Sequence, residues 1–322
     1  FLVGQYLNKY MNLLIAIPCF NEEDTIGDVI SSIPQNFNGI SVFDVILIDD
    51  GSTDNSVKIA KKMGAKIVTH NQNYGLGIAF QSAVNYAVEN KYDILVNIDG
   101  DGQFNPKEIQ LLIDHICQDK ADIVIGSRFI VNKNIRNISR VKLIGNKIMS
   151  SFISKLVRKK FFDVSSGFRA YNKESLLNFN LHARFTYTQE TFIHFALQNL
   201  RIVETPIDVK YFKNRKSRIV KSIFSYTIRS LMIIFKTYRD YFPLRFFWSV
   251  ALFFFIVASV FSVLFFGHFL IKGVFTGFLF AGFLAAFFYG LSIIFFTIGI
   301  VADMLDRIRV NQERILFKLK KK

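Results

Sequence analysis

Cysteine is scarce in this sequence, and its spacing fits no metal site. The 322 residues include two cysteines, Cys19 and Cys117, which lie far apart in the chain. This pattern excludes a small secreted domain held together by several disulfide bonds, and it contains no zinc-finger spacing. Residues 1–10 also lack the pattern of a cleavable signal peptide. We therefore expect the polar part of the chain in a reducing, cytosolic environment.

Acidic residues are also in short supply. The chain has 25 Asp and Glu against 40 Lys and Arg, which gives a formal net charge of +15 at pH 7. A strongly basic protein binds nucleic acid, anionic lipid or an anionic substrate. Neither a zinc finger nor an aromatic RNA-binding motif accompanies the charge. We therefore predict no nucleic-acid partner, which leaves a lipid or an anionic substrate.

Charged residues are missing altogether from two long segments, residues 246–271 and 273–302. Each segment exceeds the roughly 20 apolar residues that span a bilayer. The alternative is the buried core of a soluble protein, which would have to hold two such runs in succession. Because the link from Gly267 to Gly273 is short, we predict a hairpin of two transmembrane helices, at about 246–267 and 274–300.

Basic residues flank this hairpin on both sides, whereas the link holds only Lys272. Loops rich in Lys and Arg stay on the cytoplasmic side of a membrane. The sequence therefore predicts an integral membrane protein with two spans and a lipid bilayer as its partner. Its N-terminal domain and both termini are predicted to be cytoplasmic.

The segments on either side of the hairpin are amphipathic. Ile219–Tyr238 alternates apolar and basic residues at helical spacing, which is typical of a helix on a membrane surface. Packing on the globular domain is the alternative for this helix. The tail either packs between the subunits of a homo-oligomer or forms a lone surface helix. The predicted divisions are 1–217 for the globular domain, 218–245 for juxtamembrane amphipathic helices, 246–302 for the spans and 303–322 for a basic C-terminal helix.

Short apolar runs alternate with amphipathic stretches over the first 130 residues. The runs that read as strands are Leu13–Pro18, Val42–Ile48, Lys66–Thr69, Asp93–Ile98 and Asp122–Gly126. The helical patterns are Glu22–Ile33, Thr53–Met63, Leu76–Glu89 and Pro106–Cys117, followed by Val141–Val157 and Gln189–Leu200. This order predicts an α/β fold with a doubly wound, mostly parallel, Rossmann-like sheet. Ligands bind such sheets at the carboxyl ends of the strands.

Two carboxylates follow the fourth predicted strand, in the stretch Asp99-Gly100-Asp101-Gly102-Gln103. Residues two apart in an extended segment share a side, so both carboxylates can face one ion. Without a cation between them they would repel one another. Mg²⁺ and Mn²⁺ prefer oxygen ligands and share their shell with phosphates. The stretch therefore indicates a divalent-metal site, and a solvated Asp/Gly turn is the alternative.

Polar residues also follow the first two predicted strands. Phe20 and Glu22 come after the first, and Asp49 and Asp50 close the second. Carboxylates in these places accept hydrogen bonds from ribose hydroxyls or base N–H groups, and Phe20 offers a face for packing. A helix N-cap after a tight turn is the alternative for the second cluster. Three polar clusters at strand ends together favour one binding site.

A family resemblance rests on six motifs, which occur in the order IPCFNEE, LIDDGSTDNS, NYGLGIAFQSAV, NIDGDGQFNP, IGSRF and DVSSGFRAY. Over about residues 12–245 the chain resembles the family-2 glycosyltransferases of GT-A fold. Within that family it is most similar to the branch of dolichyl-phosphate mannose synthase and polyprenyl-phosphate glycosyltransferases. The resemblance implies a UDP- or GDP-sugar donor, Mg²⁺ or Mn²⁺, inversion at the anomeric carbon, and undecaprenyl or dolichyl phosphate as the acceptor.

The resemblance also implies roles for individual residues. Those that would line the nucleoside pocket are Pro18, Phe20, Glu22, Asp49 and Asp50. Those that would hold the metal and the diphosphate are Asp99, Asp101 and Gln103. Those that would face the sugar are Gln189 and Glu190. Arg128 would contact phosphates, and those that would bind the acceptor phosphate are Arg140, Arg215, Ser217 and Arg218. Asp163 matches a carboxylate that acts near the acceptor, so the catalytic set is Asp101, Asp163 and Arg128.

Three positions depart from the family's pattern. Phe20 stands where the family often has Tyr, so a hydroxyl contact is lost while packing survives. Gly100 stands where mannose synthases commonly have Ala, which weakens the case for mannose. Arg215 stands where related sequences usually have Gly before an x-Ser-Lys/Arg element, so the backbone there need not match.

Three other functions compete with transfer to polyprenyl phosphate. A processive polysaccharide synthase would carry a QxxRW element and more spans, whereas the single tryptophan, Trp248, lies in the first predicted span. Transfer to a lipid hydroxyl would require Asp163 to act as a base. A non-catalytic membrane scaffold that only binds nucleotide would not need the pair of Asp99 and Asp101.

Overall fold

The computed structural model describes residues 10–130, 140–179, 187–210, 232, 235–236 and 238–321. Their N-terminal part folds around a seven-stranded sheet with strand order β3-β2-β1-β4-β6-β5-β7. The strands are β1 (Met11–Cys19), β2 (Ile40–Asp49), β3 (Lys66–Thr69), β4 (Ile94–Asn97), β5 (Ile123–Ser127), β6 (Arg169–Asn172) and β7 (Ile202–Pro206). All neighbours pair in parallel except that β6 runs antiparallel to β4 and β5. This confirms the predicted doubly wound, mostly parallel sheet.

Helices connect these strands. They are α1 (Ile26–Ser31), α2 (Ser56–Lys62), α3 (Leu76–Glu89), α4 (Ile109–Cys117), α5 (Arg140–Val157), α6 (Lys173–Leu177) and α7 (Tyr187–Leu197), with a 3₁₀ turn at Pro106–Glu108. The apolar side chains of α1 and α4 pack with those of β1 and β4 in a continuous buried core. Strands that are buried on both faces consist of nearly continuous apolar residues, and such runs can be recognised in the sequence.

The first two helices begin later than predicted, at Ile26 and Ser56 instead of Glu22 and Thr53. The residues before them form two interlocked loops. The Asn21 N–H donates to Ser52 Oγ (2.9 Å) and the Glu22 N–H to Ser56 Oγ (2.8 Å). These bonds hold both segments as loops before their helices begin.

Strands β6 and β7 were absent from the sequence prediction, which treated residues 135–215 as irregular apart from two helices. Both strands are short, with four and five residues. The first residue of β6 is a buried arginine, Arg169, which breaks the apolar pattern. A run this short with a charged residue inside it gives no periodicity to detect.

Two long helices follow, α8 (Pro243–Lys272) and α9 (Leu279–Lys321), and each is long and apolar enough to cross a membrane by length and composition. The helix α8 passes through Gly267 and ends at Lys272, and Gly273 caps it with a φ of +71°, which suits glycine. Residues 303–321 continue α9 without a break. The predicted amphipathic helix at Ile219–Tyr238 lies largely outside the described residues.

Small residues and aromatic rings hold α8 and α9 together. Four alanines are buried along the pair, namely Ala251, Ala258, Ala281 and Ala285. The Trp248 and Phe296 rings stack with centroids 5.2 Å apart. Most other large side chains on the two helices are exposed, which suits helices whose outer surface meets lipid.

Candidate active site

The carboxyl ends of β1, β2, β4 and β5 meet at one edge of the sheet. Because β6 runs the opposite way, it begins at this same edge. The strand register places Cys19 beside Asp49, and Asn97 beside Arg169. The sequence-predicted clusters are therefore brought together, as the rule for parallel sheets anticipates.

Asp49 and Asp50 at the end of β2 are buried, with 1% and 4% of their surfaces exposed. Asp49 Oδ1 accepts a hydrogen bond from the Ser52 N–H (2.9 Å). Asp50 accepts bonds from two backbone N–H groups of the loop before α3 (2.7 and 2.9 Å), and its Oδ1 lies 2.8 Å from His70 Nδ1. Both carboxylates thus fix local backbone, and their predicted part in nucleoside binding stays a prediction.

The residues after β1 line the same edge. Pro18 is buried within β1, whereas Phe20 and Glu22 are partly exposed on the following loop. Hydrogen bonds to the loop before α2 hold this segment in place. The arrangement leaves an aromatic face and a carboxylate accessible at the strand ends.

Asp99 follows β4 in a setting that disfavours its negative charge. Burial, then the charge of Asp101, then that of Glu22 raise the pKa of Asp99 to about 7, although Arg128 and Arg169 act in the opposite direction. A carboxyl group with such a pKa is only partly ionised at neutral pH unless a cation is added. The two neighbouring carboxylates therefore favour the binding of a cation at the strand ends.

The oxygen atoms available as ligands fit a hard divalent cation such as Mg²⁺ or Mn²⁺. Asp101 and Gln103 are partly exposed, and Asp101 Oδ1 accepts the Gln103 N–H at 3.0 Å, which shapes the turn. Across the described ranges, no three His, Cys, Asp or Glu side chains form a metal-ligand group. An ion between Asp99 and Asp101 would thus take its remaining ligands from Gln103, water and phosphate, as Mg²⁺ does in phosphate-binding sites.

Gly167 closes one side of the Asp99 carboxylate. A methyl group at this position would lie 3.0 Å from both carboxylate oxygens of Asp99. The Gly167 carbonyl accepts a hydrogen bond from Asn97 Nδ2 (2.9 Å), so the backbone cannot easily move away. Any side chain at this position would therefore push the Asp99 carboxylate aside by a few tenths of an ångström.

We expect Gly167→Ala to lower activity about tenfold, because a methyl group forces the Asp99 carboxylate out of line with Asp101. Steady-state turnover and thermal unfolding of the purified variant measure the effect. Gly27→Ala is the control, since its methyl group would meet the nearest side-chain atom, in Ile59, at an ordinary 3.4 Å. Equal activity of Gly167→Ala and the wild type would show that the methyl group does not displace the Asp99 carboxylate.

Arg128 and Asp163 form a bidentate ion pair. Arg128 Nε lies 2.6 Å from Asp163 Oδ2 and Nη2 lies 2.8 Å from Oδ1, while Nη2 also donates to Ser165 Oγ (2.7 Å). Asp163 is fully buried, and 14% of the Arg128 side chain is exposed. Burial alone would raise the pKa of Asp163, but the charge and hydrogen bonds of Arg128 and Ser165 outweigh it and lower that pKa.

Two further side chains support this pair. Glu204 on β7 accepts the backbone N–H groups of Phe162 (2.9 Å) and Asp163 (2.7 Å). Asn146 on α5 donates to the Phe162 carbonyl (2.8 Å) and accepts from Ser165 Oγ (3.0 Å). The loop that carries Asp163 is thus fastened from two sides.

Sequence reasoning missed four of these residues: Asn146, Gly167, Arg169 and Glu204. Gly167 and Arg169 lie inside the motif DVSSGFRAY, so a signal for them existed. Nothing in the sequence marked Asn146 or Glu204. Among the predicted residues, the side chains of Arg140, Gln189 and Glu190 lie outside the described part of the chain, as do Arg215, Ser217 and Arg218 entirely.

The fold and the paired carboxylates at its strand ends define a glycosyltransferase-type domain. Residues 14–178 match the model of Glycosyl transferase family 2, and this match covers about half of the chain. The chain belongs to that family and is an enzyme of the glycosyltransferase class. The predicted family resemblance is therefore confirmed.

Characterised relatives point in the same direction. The chain is 31% identical over 245 residues to the UDP-N-acetylglucosamine–dolichyl-phosphate N-acetylglucosaminyltransferase of Methanococcus voltae, covering 70% of this chain and 96% of the relative. It is 27% identical over 180 residues to the polyprenol monophosphomannose synthase of Mycolicibacterium smegmatis, covering 53% of this chain and 65% of the relative.

A solved structure shares the fold. It is the glucosyl-3-phosphoglycerate synthase of Mycobacterium tuberculosis in complex with Mn²⁺, UDP and glucosyl-3-phosphoglycerate. The TM-score is 0.53 with 21% sequence identity, over 70% of this chain and 80% of that one. At this identity the likeness supports the fold assignment and no more.

Proposed function

We propose that this protein transfers a sugar from a UDP- or GDP-sugar to polyprenyl phosphate, undecaprenyl or dolichyl, with inversion at the anomeric carbon. The observation that carries the proposal is that Asp99 lies at the strand ends within reach of the charges of both Asp101 and Arg128. Two carboxylates suit a metal-bound diphosphate, and the guanidinium suits a phosphate group. The names of the relatives with polyprenyl and dolichyl phosphate acceptors support the choice of acceptor.

In the proposed reaction, an oxygen of the acceptor phosphate attacks the anomeric carbon. The bond from that carbon to the nucleoside diphosphate breaks, and the diphosphate leaves with the bonding electron pair. Asp99, Asp101 and Gln103 would hold Mg²⁺ or Mn²⁺, which when bound offsets the negative charge of the leaving group. The remaining contribution of the protein is alignment of the two substrates.

Asp163 is better suited to holding Arg128 than to taking a proton. A phosphomonoester with a second pKa of about 6 is already largely ionised at neutral pH, so it needs little help from a base. The pKa of Asp163 is lowered, and both of its oxygens are engaged by Arg128. A hydroxyl acceptor, by contrast, would need a base that this carboxylate does not supply. We therefore assign Asp163 to the positioning of Arg128.

The proposed arrangement in the cell follows from charge. Residues 1–217 form the cytoplasmic catalytic domain, 218–245 lie at the membrane surface, α8 and α9 span the bilayer, and the basic tail returns to the cytoplasm. The basic flanks on both sides of the hairpin support this orientation. Homo-oligomer formation through the tail stays a prediction.

The test is product identification with the full-length protein in detergent or lipid nanodiscs. We expect polyprenyl phosphate, Mg²⁺ or Mn²⁺ and a panel of UDP- and GDP-sugars to give a lipid heavier by one sugar, detected by mass spectrometry. Polyprenol, which ends in a hydroxyl, replaces polyprenyl phosphate in the control, and a chelator replaces the metal. Equal transfer to polyprenol, or no lipid product with any donor, would contradict the proposal.

A further inference from the structure

Arg169, the first residue of β6, is a buried cation that the proposed reaction does not use. Only 1% of its surface is exposed. Its guanidinium donates to the carbonyls of Ser166 (2.8 Å), Val164 (3.0 Å) and Thr188 (2.9 Å), and to Thr191 Oγ1 (3.1 Å). Within the described segments, none of its hydrogen-bond acceptors is a carboxylate. Hydrogen bonds to neutral groups therefore hold the side chain, and the charge that balances it must lie outside this set of acceptors.

Such burial is unfavourable on its own. Moving a charged group out of water costs several kcal/mol unless an opposite charge compensates. The compensating charge lies in the candidate site, because β6 pairs Arg169 with Asn97, two residues before Asp99, and the positive charge of Arg169 opposes the effects of burial and of Asp101 on Asp99. The buried cation therefore balances part of the negative charge that the two carboxylates bring together.

The contacts of Arg169 also connect two separate pieces of the chain. Val164 and Ser166 belong to the loop between Asp163, which holds Arg128, and Gly167, which touches Asp99. Thr188 and Thr191 belong to the start of α7. One side chain thus ties the loop that shapes the site to a helix behind it.

We propose that Arg169 is a positioning residue for the metal-binding carboxylates. It fixes the loop from Asp163 to Gly167, and with it the Gly167 backbone that packs against the Asp99 carboxylate. The inference rests on the proposed function only in that Asp99 and Asp101 bind a divalent metal. A purely structural role would predict lower stability alone, whereas positioning predicts a change in metal affinity and in kcat.

Two substitutions separate the charge from the geometry. Arg169→Lys keeps the charge but loses most of the fork of hydrogen bonds that holds the loop beside Asp99, so we expect kcat and Mn²⁺ affinity each to fall about tenfold. Arg169→Met loses the same fork and also the positive charge, which opposes a second cation nearby, so we expect kcat to fall about tenfold and Mn²⁺ affinity to lie between those of Arg169→Lys and the wild type. Mn²⁺ binding to the full-length protein is measured by electron paramagnetic resonance in the absence of donor and acceptor, and kcat with both present.

Arg201→Lys is the matched control. Arg201 makes a comparable fork with Asp119 and Asp122, but it precedes β7 and so lies at the opposite edge of the sheet. We expect its substitution to leave Mn²⁺ affinity and kcat unchanged. An equal loss in this variant, or wild-type affinity and kcat in folded Arg169→Met, would overturn the inference.

The remaining outcomes are also decisive. Should Arg169→Met not fold, Arg169→Lys decides alone: lower kcat with donor KM within about threefold supports positioning, and wild-type kcat overturns it. The Mn²⁺ measurement is independent of the acceptor. If the wild type binds Mn²⁺ and Arg169→Lys binds it less tightly, yet no sugar reaches polyprenyl phosphate, the proposed function fails while the inference on Arg169 stands.

Discussion

Asp101→Asn is expected to lower sugar transfer at least about a thousandfold, because removing one charged metal ligand leaves the diphosphate leaving group without its counter-charge. Asparagine has nearly the shape of aspartate and keeps an oxygen that can accept the Gln103 N–H. The turn after β4 should therefore survive. Turnover with saturating donor, together with Mn²⁺ binding, measures the loss.

The fold and the membrane insertion of this variant should be unchanged, since Asp101 is partly exposed and belongs to the loop after β4. Asp93→Asn is the matched control. Asp93 precedes the same strand at its opposite end, where its Oδ2 accepts the Asn12 N–H at 3.0 Å. Its substitution should leave transfer within about twofold of the wild type, as is usual for surface positions. Wild-type turnover in Asp101→Asn would rule out the metal site.

The part of the site that follows β1 and β4 was predictable, because its residues come directly after those strands in the sequence. The strand β4 and the two carboxylates after it form one uninterrupted stretch, and parallel-sheet topology says where that stretch lies. The same holds for Phe20 and Glu22 after β1. Local sequence therefore predicted both the residues and their common edge.

The rest of the site depended on contacts that no local pattern encodes. Arg128 and Asp163 are separated by α5, and their pairing follows from the antiparallel insertion of β6 between β4 and β5. Because β6 was not predicted, neither was the buried position of Asp163. Asp50 shows the same limit: its place after β2 was predictable, but its hydrogen bonds to the loop before α3 were not.

Asp163→Asn is expected to lower kcat at least about a hundredfold, because the Arg128 guanidinium loses its bidentate partner and with it a fixed orientation toward phosphate. Breaking a buried ion pair at one end also costs about 3–5 kcal/mol of folding stability. Donor binding should change little, since the donor's metal site is formed by other residues. Donor KM, kcat and the unfolding midpoint are measured on the same preparation.

The pH profile distinguishes a holder of Arg128 from a general base. The lowered pKa of Asp163 keeps this group ionised at neutral pH and above. If it holds Arg128, kcat of Asp163→Asn should be reduced by the same factor across the neutral range, so that the profiles of variant and wild type run parallel. If it accepts a proton, the variant should instead gain activity in proportion to hydroxide as the pH rises. Parallel profiles together with a loss of stability would indicate an acceptor that is already ionised when it binds. A profile for the variant that rises tenfold per pH unit would instead show that Asp163 acts as a base, and it would favour a hydroxyl acceptor.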